Sequence, residues 1–246
     1  MQIASNTVLI TGGASGIGFE LARRFLQEGS TVIVCGRRKD RLEAASKAHP
    51  TLNTMVVDLS KERQRARLAD WAMSEFPRLN VLVNNAGIQR RTRLLDEKRW
   101  APTHEELAIN LEAPIHLTTL LLPHLVKQER PAILNVTSGL AFAPMSSVPI
   151  YSATKAALHS FTLSLRHQLA DTPAQVIEII PPAVNTDLGG PGLHTFGVAV
   201  EEFVNAVVMG LREGEPEIAY GFSQRSSRAS RSELDEIFQR MNQAAS

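Results

Sequence analysis

Short runs of apolar or β-branched residues recur along this chain and alternate with longer stretches whose apolar positions return every three or four residues. Thr7-Val8-Leu9-Ile10 is the first such run; it stops at glycines and reads as a strand buried on both faces. Thr31 to Cys35, Asn53 to Val57, Val81 to Asn84, Ala132 to Val136, Gln175 to Ile180 and a short Glu217 to Ala219 read the same way. Between the first two, Ile17, Leu21 and Phe25, with Ala22 and Leu26, form a helical stripe that Gly29 ends. Further helices are predicted over Asp40 to Ala48, Lys61 to Glu75, His104 to Gln128, Val148 to Ala170 and Glu201 to Arg212. Pro114 and Pro123 bend or split the long third one. Strands alternating with helices predict an α/β fold, a doubly wound parallel sheet of about seven strands with helices on both faces.

Composition narrows this only modestly. At 246 residues, with no linker, repeat or low-complexity stretch, the chain reads as a single domain spanning 1–246. A formal net charge of +1 argues against a general nucleic-acid binder. The single cysteine, Cys35, excludes an internal disulfide and fits a reducing compartment; in its apolar run it reads as buried filler. Met1 to Asn6 lacks a basic segment followed by an apolar one, and no apolar run approaches the ~20 residues of a membrane helix. The expected location is therefore cytoplasmic. Seven histidines give neither H-E-x-x-H nor a Cys/His cluster, so no metal site is expected.

The candidate chemistry lies at two places. Gly12, Gly16 and Gly18 fall between the first strand and the first helix, where a dinucleotide pyrophosphate sits on a helix N-terminus. The spacing is G-x-x-x-G-x-G, and there is no Gly-Lys-Ser/Thr of a nucleoside triphosphatase. The second strand ends Cys35-Gly36-Arg37-Arg38, with no carboxylate before Asp40. An arginine there suits a 2′-phosphate, which predicts NADP(H) over NAD(H), with Arg37 ahead of Arg38 and a solvated basic helix start as the alternative. The second place is Tyr151-Ser152-Ala153-Thr154-Lys155, in which phenol and ammonium share a helix face. A neighbouring cation favours the phenolate and lowers a pKa that is otherwise near ~10.

Together these motifs resemble the short-chain dehydrogenase/reductase family in its compact form, over nearly the whole chain. The likeness runs through Thr11-Gly12-x-x-x-Gly16-x-Gly18, Asp58 after the third strand, Asn84-Asn85-Ala86-Gly87 after the fourth, Asn110, Ser138 and Tyr151-x-x-x-Lys155. It is nearest to a bacterial subgroup that includes the DltE-type oxidoreductases. The resemblance implies a Rossmann-type fold and hydride transfer between a nicotinamide and a carbonyl or secondary alcohol. Tyr151 would be the acid–base, Lys155 its pKa modulator and ribose ligand, Ser138 a donor to the substrate oxygen, and Asn110 the holder of a relay water. On the cofactor side it implies Gly12, Ser15, Gly16, Ile17 and Gly18 at the pyrophosphate, and Asp58 with Leu59 at the adenine. Asn85, Ala86 and Gly87 would line the crevice, with Pro181, Val184 and Thr186 beside the carboxamide. Pro181-Pro182 stands where the family has Pro-Gly, so the loop backbone there must differ locally.

The resemblance also implies a substrate lid at 187–200, a C-terminal extension at 222–246 and a homo-oligomer, dimer or tetramer. Several residues carry a plainer expectation. Ser60 reads as the N-cap of the Lys61 helix and Ser232 as the cap of a last amphipathic helix through Leu234, Ile237, Phe238 and Met241, after a solvated stretch holding Arg225, Arg228 and Arg231. Arg90, Arg91 and Arg93 read as a solvated turn, His194 as an exposed loop residue, and Gly139 to Pro149 as an apolar pocket wall. Two other functions fit the same residues: a nucleotide-binding regulatory protein with little turnover, and a 3-oxoacyl thioester reductase.

Overall fold

The computed structural model describes residues 1–243. Seven parallel strands form one sheet: β1 (Thr7–Thr11), β2 (Thr31–Gly36), β3 (Asn53–Val56), β4 (Val81–Asn84), β5 (Ala132–Val136), β6 (Gln175–Ile180) and β7 (Glu217–Ala219). Their order is β3-β2-β1-β4-β5-β6-β7, so the chain winds outward from β1 in one direction and then, through β4, in the other. The crevice at that reversal, beyond the carboxyl ends of β1 and β4, is where open α/β sheets bind ligands.

Strand side chains alternate between two cores, as the pleat requires. Val8, Ile10, Val32, Val34, Val81 and Val83 face one side, where they meet α1 (Gly16–Gln27), α2 (Lys39–Ala48) and α7 (Val200–Glu213). Leu9, Ile33, Cys35, Leu82 and Ile133 face the other, against α3 (Glu62–Glu75), α5 (Ala113–Leu125) and α6 (Pro149–Gln168). Cys35 is fully buried, and burial pushes its thiol up to about 12, which suits filler and not a nucleophile. On this second face Asn84 Nδ2 donates to Asn135 Oδ1 (2.9 Å) and Thr118 Oγ1 (3.2 Å), and Asn135 Nδ2 to Thr162 Oγ1 (2.9 Å). The chain of amides and hydroxyls thus fixes α5 and α6 against the middle of the sheet.

Four local expectations change. The predicted helix from His104 to Gln128 is three pieces: α4 (Trp100–Leu107), a π-turn (Ala108–Glu112) and α5, with Pro114 near the start of the last. Proline lacks an N–H and crowds the preceding turn, which is why the ladder re-registers there. Ser60 does not cap α3; its N–H and hydroxyl both donate to Asp58 Oδ1, at 3.0 and 2.8 Å. The Arg/Ser stretch is not a solvated loop, because α8 (Phe222–Ser227) buries Ser223 and Ser226. The last helix, α9 (Arg231–Gln243), is capped by Ser230 and not Ser232: Ser230 Oγ accepts from Glu233 N (3.4 Å), while Glu233 Oε2 takes Ser230 N (2.7 Å).

Candidate active site

The glycine loop is held by its neighbours on every side. Gly12 and Gly16 have φ of +66° and +56°, which L side chains rarely adopt. A Cβ on Gly12 would lie 2.9 Å from Ala86 Cα, and one on Gly18 would lie 2.8 Å from the Gly12 carbonyl oxygen. Asn85 Nδ2 donates to Thr11 O (2.9 Å), and Thr11 Oγ1 accepts from the N–H groups of Asn85 and Ala86 (3.0 Å each). Asn85 and Ala86 therefore act as a clasp on the glycine loop, while Gly87 lies nearest Asn110 and Lys155. Thr11, which in the sequence reads only as the start of the motif, is part of this clasp, and Gly13 packs closely on Val34.

At the N-terminus of α1, Ser15 makes no side-chain cap bond and no acidic residue stands in the first turn. Arg38 Nη2 donates to Ser15 Oγ at 3.0 Å, which brings a guanidinium to the edge of the loop. Arg37, from the same β2 terminus, pairs with Glu105 of α4 and lies near enough to Asp58 to help hold that carboxyl below its ordinary range, although burial opposes this. Uncapped helix N–H groups, glycines that permit close approach and two adjacent guanidiniums are the donor set of a dinucleotide phosphate site, so these residues fit such a cofactor. Leu59 is buried behind Asp58. Thr186 approaches the loop from the other wall, its Cγ2 3.2 Å from where a Gly16 Cβ would be.

Ser138 follows β5, while Tyr151 and Lys155 lie on the first turns of α6; all three are buried. Ser138 Oγ accepts from Leu140 N (3.1 Å), which leaves its own proton free to donate. Lys155 Nζ lies 5.6 Å from the Tyr151 ring centroid and donates to Val136 O at 2.8 Å. Burial pushes the phenol up to about 12, opposed by the nearby Ser138 hydroxyl and reinforced by the carboxyl of Glu106; burial also pushes Lys155 down to about 8. Lys155, whose ammonium is held by the Val136 carbonyl, is not among the groups acting on the phenol here, and desolvation dominates. Asn110 is fully buried in the π-turn, and its side chain is occupied: Oδ1 accepts from Ile88 N (2.9 Å) and Nδ2 donates to Ile88 O (2.8 Å). It clamps the strand that leaves Gly87.

The loop after β6 is laid beside the loop after β5. Thr137 N donates to Ile179 O (2.9 Å) and Gly139 N to Pro181 O (3.0 Å), so the ladder outlasts the strands. Ser223 Oγ donates to the same Pro181 carbonyl (2.7 Å), and Asn242 takes Ser146 N (2.6 Å) and donates to Pro144 O (3.1 Å). The C-terminal helices thereby back the wall next to Ser138, contacts that no local pattern in the sequence signals. Val184 pairs with Val198 as an isolated bridge, pinning the two ends of the 185–197 loop together while His194 sits half-buried within it.

Across the cleft, Arg90 is not a solvated residue: its guanidinium donates to Pro102 O (2.9 Å) and Glu105 Oε2 (2.5 Å). Arg93 pairs with Asp96 in the open, as the solvated reading expects. With Glu97, Arg99, Thr103, Glu106 and Gly189 this loop bounds a cavity of about 380 Å³, whose lining is polar where the opposite wall was expected to be apolar. Among the described residues no group of His, Cys, Asp and Glu could hold a metal, and no helix is long and apolar enough to cross a membrane.

A doubly wound parallel sheet with a glycine-loop phosphate cradle and a buried Ser–Tyr–Lys set beside it defines a dinucleotide-dependent oxidoreductase. The chain belongs to the short chain dehydrogenase family, whose sequence model it matches over residues 6–193. It is 46% identical to the uncharacterized oxidoreductase DltE of Bacillus subtilis (strain 168), over 98% of both chains. Its fold is similar to the crystal structure of a short chain dehydrogenase from Burkholderia cenocepacia J2315 in complex with NADP (TM-score 0.85, 27% identity, 98% and 99% of the two chains). It also resembles 3-ketoacyl-(acyl-carrier-protein) reductase from Brucella melitensis complexed with NADH (TM-score 0.80, 25% identity, 90% and 100% of the two chains).

Proposed function

We propose that this protein is an NADP(H)-dependent reductase of a small carbonyl compound, or the corresponding alcohol dehydrogenase, with Tyr151 as its acid–base. The observation that carries the reading is the burial of Ser138, Tyr151 and Lys155 together, with Lys155 Nζ 5.6 Å from the Tyr151 ring centroid and close to Gly87. NADPH, when bound, supplies the hydride. Gly12, Gly16, Ile17 and Gly18 with the α1 N-terminus hold its pyrophosphate, Arg38 and Arg37 its 2′-phosphate, and Asp58 and Leu59 its adenine. Gly87, Pro181, Val184 and Thr186 line the nicotinamide side.

In reduction, the Tyr151 hydroxyl passes its proton to the substrate oxygen while Ser138 donates a second hydrogen bond to it. Lys155 stabilises the phenolate left behind. The phenol is protonated at neutral pH and gives up its proton as the arriving hydride makes the substrate oxygen basic. Asn110 positions the Gly87–Ile88 backbone and thereby the space in front of Lys155. NADP is favoured over NAD because both side chains at the end of β2 are arginines and Arg38 already reaches the phosphate loop. The 187–200 loop is the lid over this site, pinned at its neck by Val184 and Val198.

The test is NADPH oxidation by wild type and Tyr151→Phe over a panel of carbonyl compounds. The variant keeps NADPH affinity and loses on the order of 10²–10⁴ in turnover, since the ring remains and the proton does not. Equal turnover in both proteins removes Tyr151 from the chemistry.

A further inference from the structure

Glu105 and Glu106 are neighbours on α4 with opposite environments. Glu105 faces outward and is shared by Arg37 and Arg90. Glu106 faces inward, 1% exposed, and its Oε1 is buried without a hydrogen-bond partner. A buried carboxyl oxygen left unpaired is costly, and native structures rarely keep one unless something satisfies it in use. Its surroundings point to that use. On one side Glu106 lines the cavity of about 380 Å³, a volume suited to a small ligand. On the other it is close enough to Tyr151 for its charge to hold the phenol's proton more tightly. Glu106 thus both lines the cavity and bears on Tyr151, so a ligand seated there meets its carboxyl.

We propose that Glu106 is the polar recognition group of this cavity and accepts a hydrogen bond from a hydroxyl of the substrate, so that the enzyme selects hydroxylated carbonyl compounds over plain apolar ketones. The inference rests on the reductase reading given above and supplies its substrate class. At the Glu106 carboxyl itself a carboxylate is repelled, while Arg90, Arg91 and Arg99 on the same wall oppose an ammonium, which leaves a hydroxyl as the partner for this group. A neutral hydroxylated ligand finds donors and acceptors on both sides. Burial pushes the Glu106 carboxyl up to about 7, with the Arg90 backbone and charge pulling only partly against it. The group can thus be a neutral acid or a carboxylate near neutrality, and a hydroxyl partners either form. The Arg90 guanidinium does not neutralise it, being committed to Glu105 and Pro102.

The experiment compares butanone with acetoin, and cyclohexanone with its α-hydroxy derivative, on the full chain and on Glu106→Gln and Glu106→Leu. Two readouts are taken: kcat/KM with NADPH, and binding of the same compounds by ligand-observed NMR without turnover. The wild type prefers the hydroxylated member of each pair; Glu106→Leu lowers that preference by about tenfold or more, as expected for a lost hydrogen bond to an ionisable group, and Glu106→Gln retains part of it. An undiminished preference in Glu106→Leu, or no preference in wild type by either readout, overturns the subsite. Binding of acetoin that depends on Glu106 without any NADPH oxidation supports the subsite and removes the reductase reading. Turnover of the ketones without Glu106-dependent preference does the reverse.

Discussion

The two halves of the cleft are built on different terms. On the cofactor side, backbone meets backbone: Gly12 against Ala86, Gly18 against the Gly12 carbonyl, with Thr11 and Asn85 tying β1 to β4. On the substrate side, side chains reach across between separate loops and helices: Arg90 to Glu105, Ser223 to the Pro181 carbonyl, and Asn242 to Ser146 N and Pro144 O. Gly189 and Gly192 also have positive φ, 78° and 76°, yet a Cβ on Gly192 would meet nothing within 4 Å. The first half tolerates no added atom because a Cβ there would strike Ala86, Asn85 or the Gly12 carbonyl. The second has slack that different substrates can use.

Substitutions can break or sharpen that contrast. Gly18→Ala is expected to have the largest effect. The new Cβ would strike Asn85, which cannot swing away without releasing Thr11, and overpacking of this kind costs about 1–3 kcal/mol. The melting temperature and NADPH affinity should both fall, whereas Gly192→Ala should carry only the penalty of its positive φ, about 1–2 kcal/mol, and leave cofactor affinity as it was. Similar losses of NADPH affinity in the two variants would erase the distinction between the halves.

Next comes the coenzyme ratio. Arg38→Ala should weaken NADPH about tenfold or more relative to NADH, measured by fluorescence titration, because a charge-assisted phosphate contact is lost. Arg37→Ala should do so too, with an added change at Glu105, which loses one of its two guanidiniums. Equal losses for both coenzymes would assign the two arginines to the protein surface.

A smaller effect is expected from Ser223→Ala. It removes one of two donors to the Pro181 carbonyl, so the cost is about 1 kcal/mol in urea unfolding, with a shift in KM for the carbonyl substrate as the Ser138 wall loosens. No change in KM would confine α8 to a structural role.

The smallest effect is a pH dependence away from the cleft. His159 Nδ1 lies 2.8 Å from Oε2 of the fully buried Glu178, and this hydrogen bond, opposed by burial, raises the imidazole pKa above its ordinary value. A raised folded-state pKa adds stability that is fully present below the unfolded value near ~6.5 and fades as pH rises through the folded one. His159→Gln should flatten the stability profile in that window; an unchanged slope would show that the pair does not titrate with folding.

The strands of a doubly wound parallel sheet and the glycine loop were legible in the sequence because both are written locally. Apolar runs of four to six residues bounded by glycine admit few other readings, and the alternation with helices fixes the winding. Glu106 was harder, although a signal existed: Thr103, Glu106 and Asn110 recur at helical spacing and are all buried, so the inward stripe of this helix is polar. The cap at Ser230 was missed by two positions because Ser230 and Ser232 are locally equivalent, and only Glu233 three residues on selects the first. Asn110 was readable as buried, but not its partner Ile88, which comes from another loop.

By itself the sequence determined the fold class, the doubly wound sheet, the position of the glycine loop and the Tyr151–Lys155 spacing, because each depends on residues a few positions apart on one element. The tertiary structure decided how those parts are charged and enclosed. Burial drives Tyr151 and Lys155 away from the values that their spacing alone suggested, Arg37 is shared with a helix sixty-eight positions away, and the C-terminal helices return to back the wall beside Ser138. Desolvation and long-range pairing depend on what else occupies the space around a group, which one-dimensional spacing does not carry.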